Sequence, residues 1–187
     1  MNVTIPHKQA IMDHLDCVDA AASAIGAVNT VTNENGRLVG SNTDVLGIHA
    51  ALERAGFDAE DRRILIMGSG GAARACAYYM DRHGCDITIT GRNGDSGTEL
   101  ASEFGASYRD PRSVSTMMYD LVNISTIQKE QAVFDMVYGK ETPLMAHARA
   151  RGCRTARGED MLAGQGAASF ETWTGVGGMF DVMRGQL

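Results

Sequence analysis

Apolar positions fall into short blocks separated by glycine- and asparagine-rich breaks along the 187-residue chain. Residues 2–6 form a brief extended piece, since Pro6 disfavours helix at the residue before it, and residues 7–15 then turn helical. Residues 27–32 and 37–40 flank Asn33-Glu-Asn-Gly36, and an Asn-Gly pair between two apolar runs predicts a β-hairpin. Val45, Ile48, Leu52 and Ala55 recur at helical spacing, with Gly56 as the stop. Asp44 stands at the head of this helix. It suits an N-cap, a role worth about 1 kcal/mol, and equally a carboxylate aimed into a cleft; the two roles are compatible.

The second half has a different rhythm. A polar linker, residues 58–62, leads to the apolar run Ile64 to Met67, the right length for a buried strand. Gly68, Gly70 and Gly71 follow, and then Ala72, Ala73, Ala75 and Ala77, a small-residue helix. Residues 86–90 predict the next strand, 96–104 a helix, and 119–123 and 132–137 two further buried strands joined by a polar loop at 125–131. Thr142-Pro143 opens a helix over 144–151, with Gly152 as its stop. Residues 161–173 form a last amphipathic candidate, separated by Gly177-Gly178 from a terminal helix. Strands alternating with helices predict an α/β fold with a Rossmann-like, doubly wound parallel sheet.

Composition narrows the function classes. Hydrophobic residues make up 44% and charged residues 21%, a globular balance. The net charge of −6 and the lack of a basic block argue against nucleic acid as the main partner. No apolar run has membrane-spanning length and no charged-then-apolar leader opens the chain, so the expected location is cytoplasmic, with no membrane partner. Cys17, Cys76, Cys85 and Cys153 lie far apart and suit reduced, mostly packed thiols. The five histidines are equally scattered, and no metal site is expected.

The most informative chemistry is Gly68-x-Gly70-x-x-Ala73 after a strand and before a helix, the dinucleotide-binding pattern. Gly68 permits the tight turn, Gly70 lets backbone approach a pyrophosphate, and Ala73 lets the helix lie close to the sheet. The free amides of the helix N-terminus then face the phosphates. At the end of the next strand, Thr90-Gly91-Arg92-Asn93 offers an arginine and no adjacent acid. That favours a 2′-phosphate, hence NADP over NAD. Lys8, by spacing alone, is a solvated surface lysine.

Taken together, the motifs resemble the shikimate dehydrogenase family. The resemblance rests on Asn2-Val-Thr-Ile-Pro-His-Lys8, Gly26-Ala-Val-Asn-Thr30, Asn42-Thr-Asp44, Gly68-Ser-Gly-Gly-Ala72, Asp135-Met-Val-Tyr138, Thr142-Pro-Leu144 and Gly158-x-x-Met161-Leu-x-x-Gln165, in the family's order. It implies reversible hydride transfer between the 3-hydroxyl of shikimate and NADP, a step of aromatic amino-acid biosynthesis. It makes Lys8 and Asp44 the catalytic pair, overriding the surface reading of Lys8. Thr4, Asn29, Tyr138 and Gln165 become substrate-binding residues. Gly68, Ser69, Gly70, Gly71, Ala72, Arg92, Met136 and Gly158 become cofactor-binding residues. Which of Lys8 and Asp44 carries the proton stays open. Quinate, or another polyol acid used by a related paralogue, is the alternative substrate.

Three departures accompany the resemblance. Ser96 stands where the family has a second basic residue near the 2′-phosphate, and Asn123-Ile-Ser-Thr126 lacks the proline of the family's Asn-Ala-Thr-Pro loop. The family also places most of a substrate domain, with a carboxylate-gripping Ser-x-Ser pair, before the Asn-Val-Thr segment, whereas this sequence opens directly on it. The expectation is therefore a remnant of a smaller α/β substrate domain over 1–57, a nucleotide-binding domain over 58–175, and a C-terminal helix over 176–187 returning to the substrate domain. On that view residues 2–5 form a strand with unpaired backbone, and the chain self-associates or is poorly stable. It is then a truncated NADP-binding module with little activity, or else the sequence is part of a longer enzyme.

Overall fold

The computed structural model describes residues 1–111 and 127–187. The expected strand at 119–123 and the Asn123-Ile-Ser-Thr126 loop lie outside the described residues.

The first unit is a three-stranded sheet in the order β1–β3–β2, formed by β1 (Cys17–Val18), β2 (Thr30–Glu34) and β3 (Arg37–Ser41). β2 and β3 are the expected hairpin. Asn35 and Gly36 both adopt positive φ, +55° and +93°, as a tight two-residue turn requires, and Asn33 Oδ1 accepts the Gly36 amide at 2.7 Å. β1 and the short helix α1 (Ala20–Ile25) were not anticipated. Their signal is local: Asp19 Oδ1 caps α1 by accepting the Ala22 amide at 2.6 Å, and Gly26 ends it in the left-handed conformation. In place of a helix over 7–15 there is only a 3₁₀ turn, Ala10–His14. Residues 2–5 are not left unpaired throughout, contrary to expectation. The Met1 amino group and the Val3 amide donate to Val31 O and Asn29 O at 2.6 and 2.7 Å, because the outer edge of β2 is free to receive them.

α2 (Asp44–Arg54) crosses to the second unit, with Gly47, Ile48, Ala51 and Leu52 buried and Gly56 in the left-handed conformation beyond its end. Asp44 is the first residue of α2 and not its cap; Thr43 occupies the cap position. β4 (Arg63–Met67), β5 (Asp86–Thr90) and β6 (Ser107–Tyr108) form a parallel sheet, β4–β5–β6. β4 is buried on one face only. Ile66 lies in the core with α3 (Gly71–Asp81), while Leu65 and Met67 are 41% and 40% exposed. The alternation of strand side chains sends these two to the opposite face. α4 (Gly94–Glu103) begins two residues before the expected start, because Asn93 caps it by accepting the Ser96 amide.

β7 (Ala132–Asp135) ends two residues early and is half-buried, not buried; it pairs in parallel with β8 (Arg154–Arg157), a strand the apolar pattern did not signal. β8 reads Arg-Thr-Ala-Arg, and its two arginines are exposed, leaving one buried alanine to mark it. α5 (Pro143–Ala150) joins them, capped by Thr142. α6 (Gly158–Thr174) starts three residues before the expected amphipathic segment and packs along α2, with α7 (Phe180–Arg184) on α6. α2 and α6 approach closely where Gly164 faces Gly47; a Cβ on Gly164 would sit 2.9 Å from the Gly47 Cα. No described helix is long and apolar enough to cross a membrane. All four cysteines are free, and burial, with a smaller contribution from Cys85, pushes the Cys76 thiol up to about 12, so it stays protonated.

Candidate active site

The segment from the end of α1 to β2 supplies the floor of the site. Asn29 is 1% exposed and hydrogen-bonded through both ends of its amide. Its Nδ2 donates to Asp44 Oδ1 at 2.9 Å and lies 3.0 Å from Thr43 Oγ1 and 3.2 Å from Gln165 Oε1. Its Oδ1 accepts from the Thr43 amide at 2.8 Å and from the Thr30 hydroxyl at 2.9 Å. Behind it, Ser169 Oγ stands 2.7 Å from Thr30 Oγ1 and 2.9 Å from Thr43 Oγ1. Asn42 fixes the chain entering α2, donating to Ala27 O at 2.8 Å and accepting the Asp44 amide at 2.9 Å.

Against this frame stands the ion pair. Lys8 Nζ lies 2.6 Å from Asp44 Oδ2, with side chains 14% and 4% exposed. Lys8 is held at its backbone, where Val28 N–H donates to Lys8 O at 2.8 Å. Its alkyl stem lies over the head of α3, since a Cβ on Gly71 would be 3.0 Å from Lys8 Cδ. The lysine, the carboxylate and the first residue of the glycine helix therefore meet, although 36 residues separate Lys8 from Asp44. The lysine side chain is the more exposed partner, so the pair opens toward solvent on the lysine side.

The glycine turn has the form a dinucleotide needs. Gly68 has φ +122°, and its amide donates to Thr90 O at 2.8 Å, tying the turn to β5. A side chain at Gly70 would meet nothing within 4 Å, so its backbone faces open space at the start of α3. The orphan amides of the first turn of α3 point there. Arg92 is exposed beyond β5, and Tyr108 O–H donates to Gly91 O at 3.1 Å beside it.

Met136, Tyr138 and Gly158 form a separate group where β7 ends and α6 begins. Val137 lies so close to Gly158 that a Cβ there would collide with its backbone. Tyr138 is 57% exposed. Glu159 holds this turn in place. Its Oε1 accepts the Gly139 amide at 3.3 Å and Oε2 lies 3.3 Å from Arg157 Nε. Burial pushes the Glu159 carboxyl up, but hydrogen bonds from its own amide and Gly139, together with Arg157, outweigh it and leave it below the usual glutamate range. Its folded pKa is thus below the unfolded value of about 4.3, so its contribution to stability is present above that value and is lost as pH falls through the folded pKa. Glu159→Gln is expected to flatten the acid side of a plot of Tm against pH while leaving the neutral side in place.

Of the expected site residues, Lys8, Asp44, Asn29 and Gln165 converge in one hydrogen-bonded cluster. Thr4 is exposed in the turn before Lys8, where its carbonyl accepts the His7 amide. Gly158 and Gln165 are seven residues apart on α6, on one face and about 10 Å along its axis, so this helix links the Met136–Tyr138 turn to the ion pair. Thr30, Asn42, Thr43 and Ser169 were not anticipated. Thr30 adjoins Asn29, and Asn42 and Thr43 directly precede Asp44 within the Asn42-Thr-Asp44 motif; Ser169 has no signal beyond lying one helical turn after Gln165.

The shikimate dehydrogenase substrate binding domain model matches residues 1–31, and the shikimate 5′-dehydrogenase C-terminal domain model matches residues 158–187. A shikimate dehydrogenase (NADP(+)) from Moorella thermoacetica is 40% identical, over 93% of this chain and 69% of that protein. The shikimate 5-dehydrogenase of Thermus thermophilus, solved with NADP(H) and shikimate, superposes with a TM-score of 0.87 at 32% identity, over 98% of this chain and 76% of that one. A quinate dehydrogenase from Corynebacterium glutamicum, solved with NAD, gives a TM-score of 0.87 at 30% identity, over 98% and 75%. With the glycine turn, the buried amide cluster and the ion pair all in the order the sequence motifs imply, this chain belongs to the shikimate dehydrogenase family.

Proposed function

We propose that this chain interconverts shikimate and 3-dehydroshikimate with NADP, a step in aromatic amino-acid biosynthesis. The observation that carries the reading is the Lys8–Asp44 pair at 2.6 Å with the lysine stem against the head of α3. NADP, when bound, supplies the acceptor for the hydride that leaves the alcohol carbon. The alcohol proton goes to the Lys8–Asp44 pair, and the C–O bond becomes a carbonyl. Asn29 holds Asp44 Oδ1, which leaves Oδ2 for Lys8 and for the substrate hydroxyl. Gln165, in reach of the same amide, presents its own amide group to the substrate. Thr4 and Tyr138, both exposed, would offer it further hydroxyls.

The residues fit the cofactor. Gly68 to Ala72 would hold the pyrophosphate at the α3 N-terminus, Arg92 would meet the 2′-phosphate, and Met136 and Gly158 would form the wall for the nicotinamide. The same reading assigns residues 1–57 to a partial substrate-binding domain, 58–175 to the nucleotide-binding domain and 176–187 to a C-terminal helix returning to the substrate domain. The likeness to a quinate dehydrogenase gives a second substrate to test.

The purified protein is expected to form NADPH from NADP with shikimate, and the proposal fails if neither shikimate nor quinate supports turnover at saturating NADP. Arg92→Ala is expected to weaken NADP binding by about 1.5–3 kcal/mol, roughly ten- to a hundredfold, and to leave NAD binding nearly unchanged. Calorimetric titration with the two cofactors measures this directly. A larger affinity for NAD than for NADP in the unmodified protein would defeat the assignment of Arg92.

A further inference from the structure

Arg74 is in the first turns of α3, four residues after Gly70, and is 7% exposed. Its guanidinium does not face solvent or the glycine turn. Nε donates to Ile25 O at 2.6 Å, and Nη2 pairs with Glu103 at the end of α4. Ile25 is the last residue of α1, whose terminal carbonyls have no partner within the helix and sit at its negative end. The guanidinium passes directly over Gly26, where a Cβ would fall 2.5 Å from Nη2.

A second tie joins the same two pieces of chain. Val28, three residues after Ile25, donates to Lys8 O, and the Lys8 stem lies on Gly71, three residues before Arg74. Gly71 and Arg74 share one face of α3. The head of the cofactor helix is thus pinned to residues 25–29 at two points, one through the candidate catalytic lysine and one through Arg74. Asn29, which orients Asp44, follows directly.

Stability alone is a weak reason to bury this cation. Buried ion pairs often contribute no more than a well-packed apolar group of the same volume. A planar fork does what an apolar group cannot: it fixes direction and distance at two acceptors. On the dehydrogenase reading above, we infer that Arg74 is a positioning residue, which sets the glycine turn at the reacting distance from the Lys8–Asp44 pair. It touches neither substrate nor cofactor.

The test uses the full chain with Arg74→Met and Arg74→Lys, each assayed well below its own Tm. Arg74→Met is expected to lower kcat by about ten- to a hundredfold, with KM for shikimate and for NADP each within about threefold of the unmodified protein. Arg74→Lys, which keeps the charge but not the fork, is expected to fall between. In the protein without ligands, hydrogen exchange at the Val28 and Asn29 amides is expected to quicken in Arg74→Met. An unchanged kcat in a variant with lowered Tm would reduce Arg74 to a structural role and overturn the inference. So would a rise in both KM values at constant kcat. Should Arg74→Met fail to fold, Arg74→Lys decides by the same kcat–KM split. Should the unmodified protein not turn over shikimate or quinate, the dehydrogenase reading fails by itself, and unchanged exchange at Val28 and Asn29 then overturns the tie independently.

Discussion

Lys8→Met is expected to lower kcat by about 10²–10⁴-fold while leaving NADP affinity within about twofold. Methionine keeps an apolar stem against Gly71, so the head of α3 retains its packing, and only the amine is lost. The variant also strands Asp44, whose side chain is 4% exposed, with one fewer partner. Removing one member of a buried pair is costly, on the order of 3 kcal/mol where burial is deep, and a drop in Tm of several degrees accompanies it. Adding Asp44→Asn to Lys8→Met removes the uncompensated charge. The double variant is therefore expected to regain much of the Tm and none of the activity. That contrast separates a chemical role of the pair from a merely architectural one. Full activity in Lys8→Met would end the proposed mechanism, and steady-state kinetics beside thermal melts of the three variants provide the comparison.

Local signals made the elements at the centre of the site legible. The Asn35-Gly36 turn, the Gly68–Gly70 bend, the alanines of α3 and the Thr142-Pro143 start each depend on a few adjacent residues, and each stands where its chemistry puts it. What the pattern could not supply came from contacts between distant segments. β8 has one buried side chain, and its pairing with β7 defines it. Leu65 and Met67 looked like core because an apolar run does not say how many faces are covered. Lys8 is the clearest case. By spacing it belonged on the surface, and only the family motifs moved it into the site. Its burial depends on α2 and α3, 36 and more residues away. Ser169 and Arg74 belong to the same class: their partners Thr30 and Ile25 lie 139 and 49 residues off in sequence, beyond the reach of any local pattern.

Asn29→Ala is expected to be the most damaging substitution outside the ion pair, for a reason that distinguishes amide clusters from apolar cores. Deleting an apolar side chain leaves a cavity. Deleting Asn29 strips partners from polar groups: the Thr43 amide, the Thr30 hydroxyl and Asp44 Oδ1 each lose a hydrogen bond in a site where water has little access. Each unsatisfied group costs about 1–3 kcal/mol. Thr30 Oγ1 keeps its existing contact with Ser169 Oγ at 2.7 Å, which lessens its share of the loss. A net loss of about 3–5 kcal/mol follows, a fall in Tm on the order of 10 °C for a chain of this size. Asn29→Asp sharpens the test because it keeps shape and volume. It replaces a donor facing Asp44 Oδ1 by a second carboxylate, so at neutral pH two like charges meet at hydrogen-bond distance. Its Tm is expected to rise toward that of the unmodified protein as the pH falls and the carboxylate pair takes up a proton, while Asn29→Ala shows no such recovery. Activity at neutral pH is expected to be lost in both. If instead Asn29→Asp melts like the unmodified protein at neutral pH, the amide does not orient Asp44, and the cluster is not the frame on which the Lys8–Asp44 pair depends.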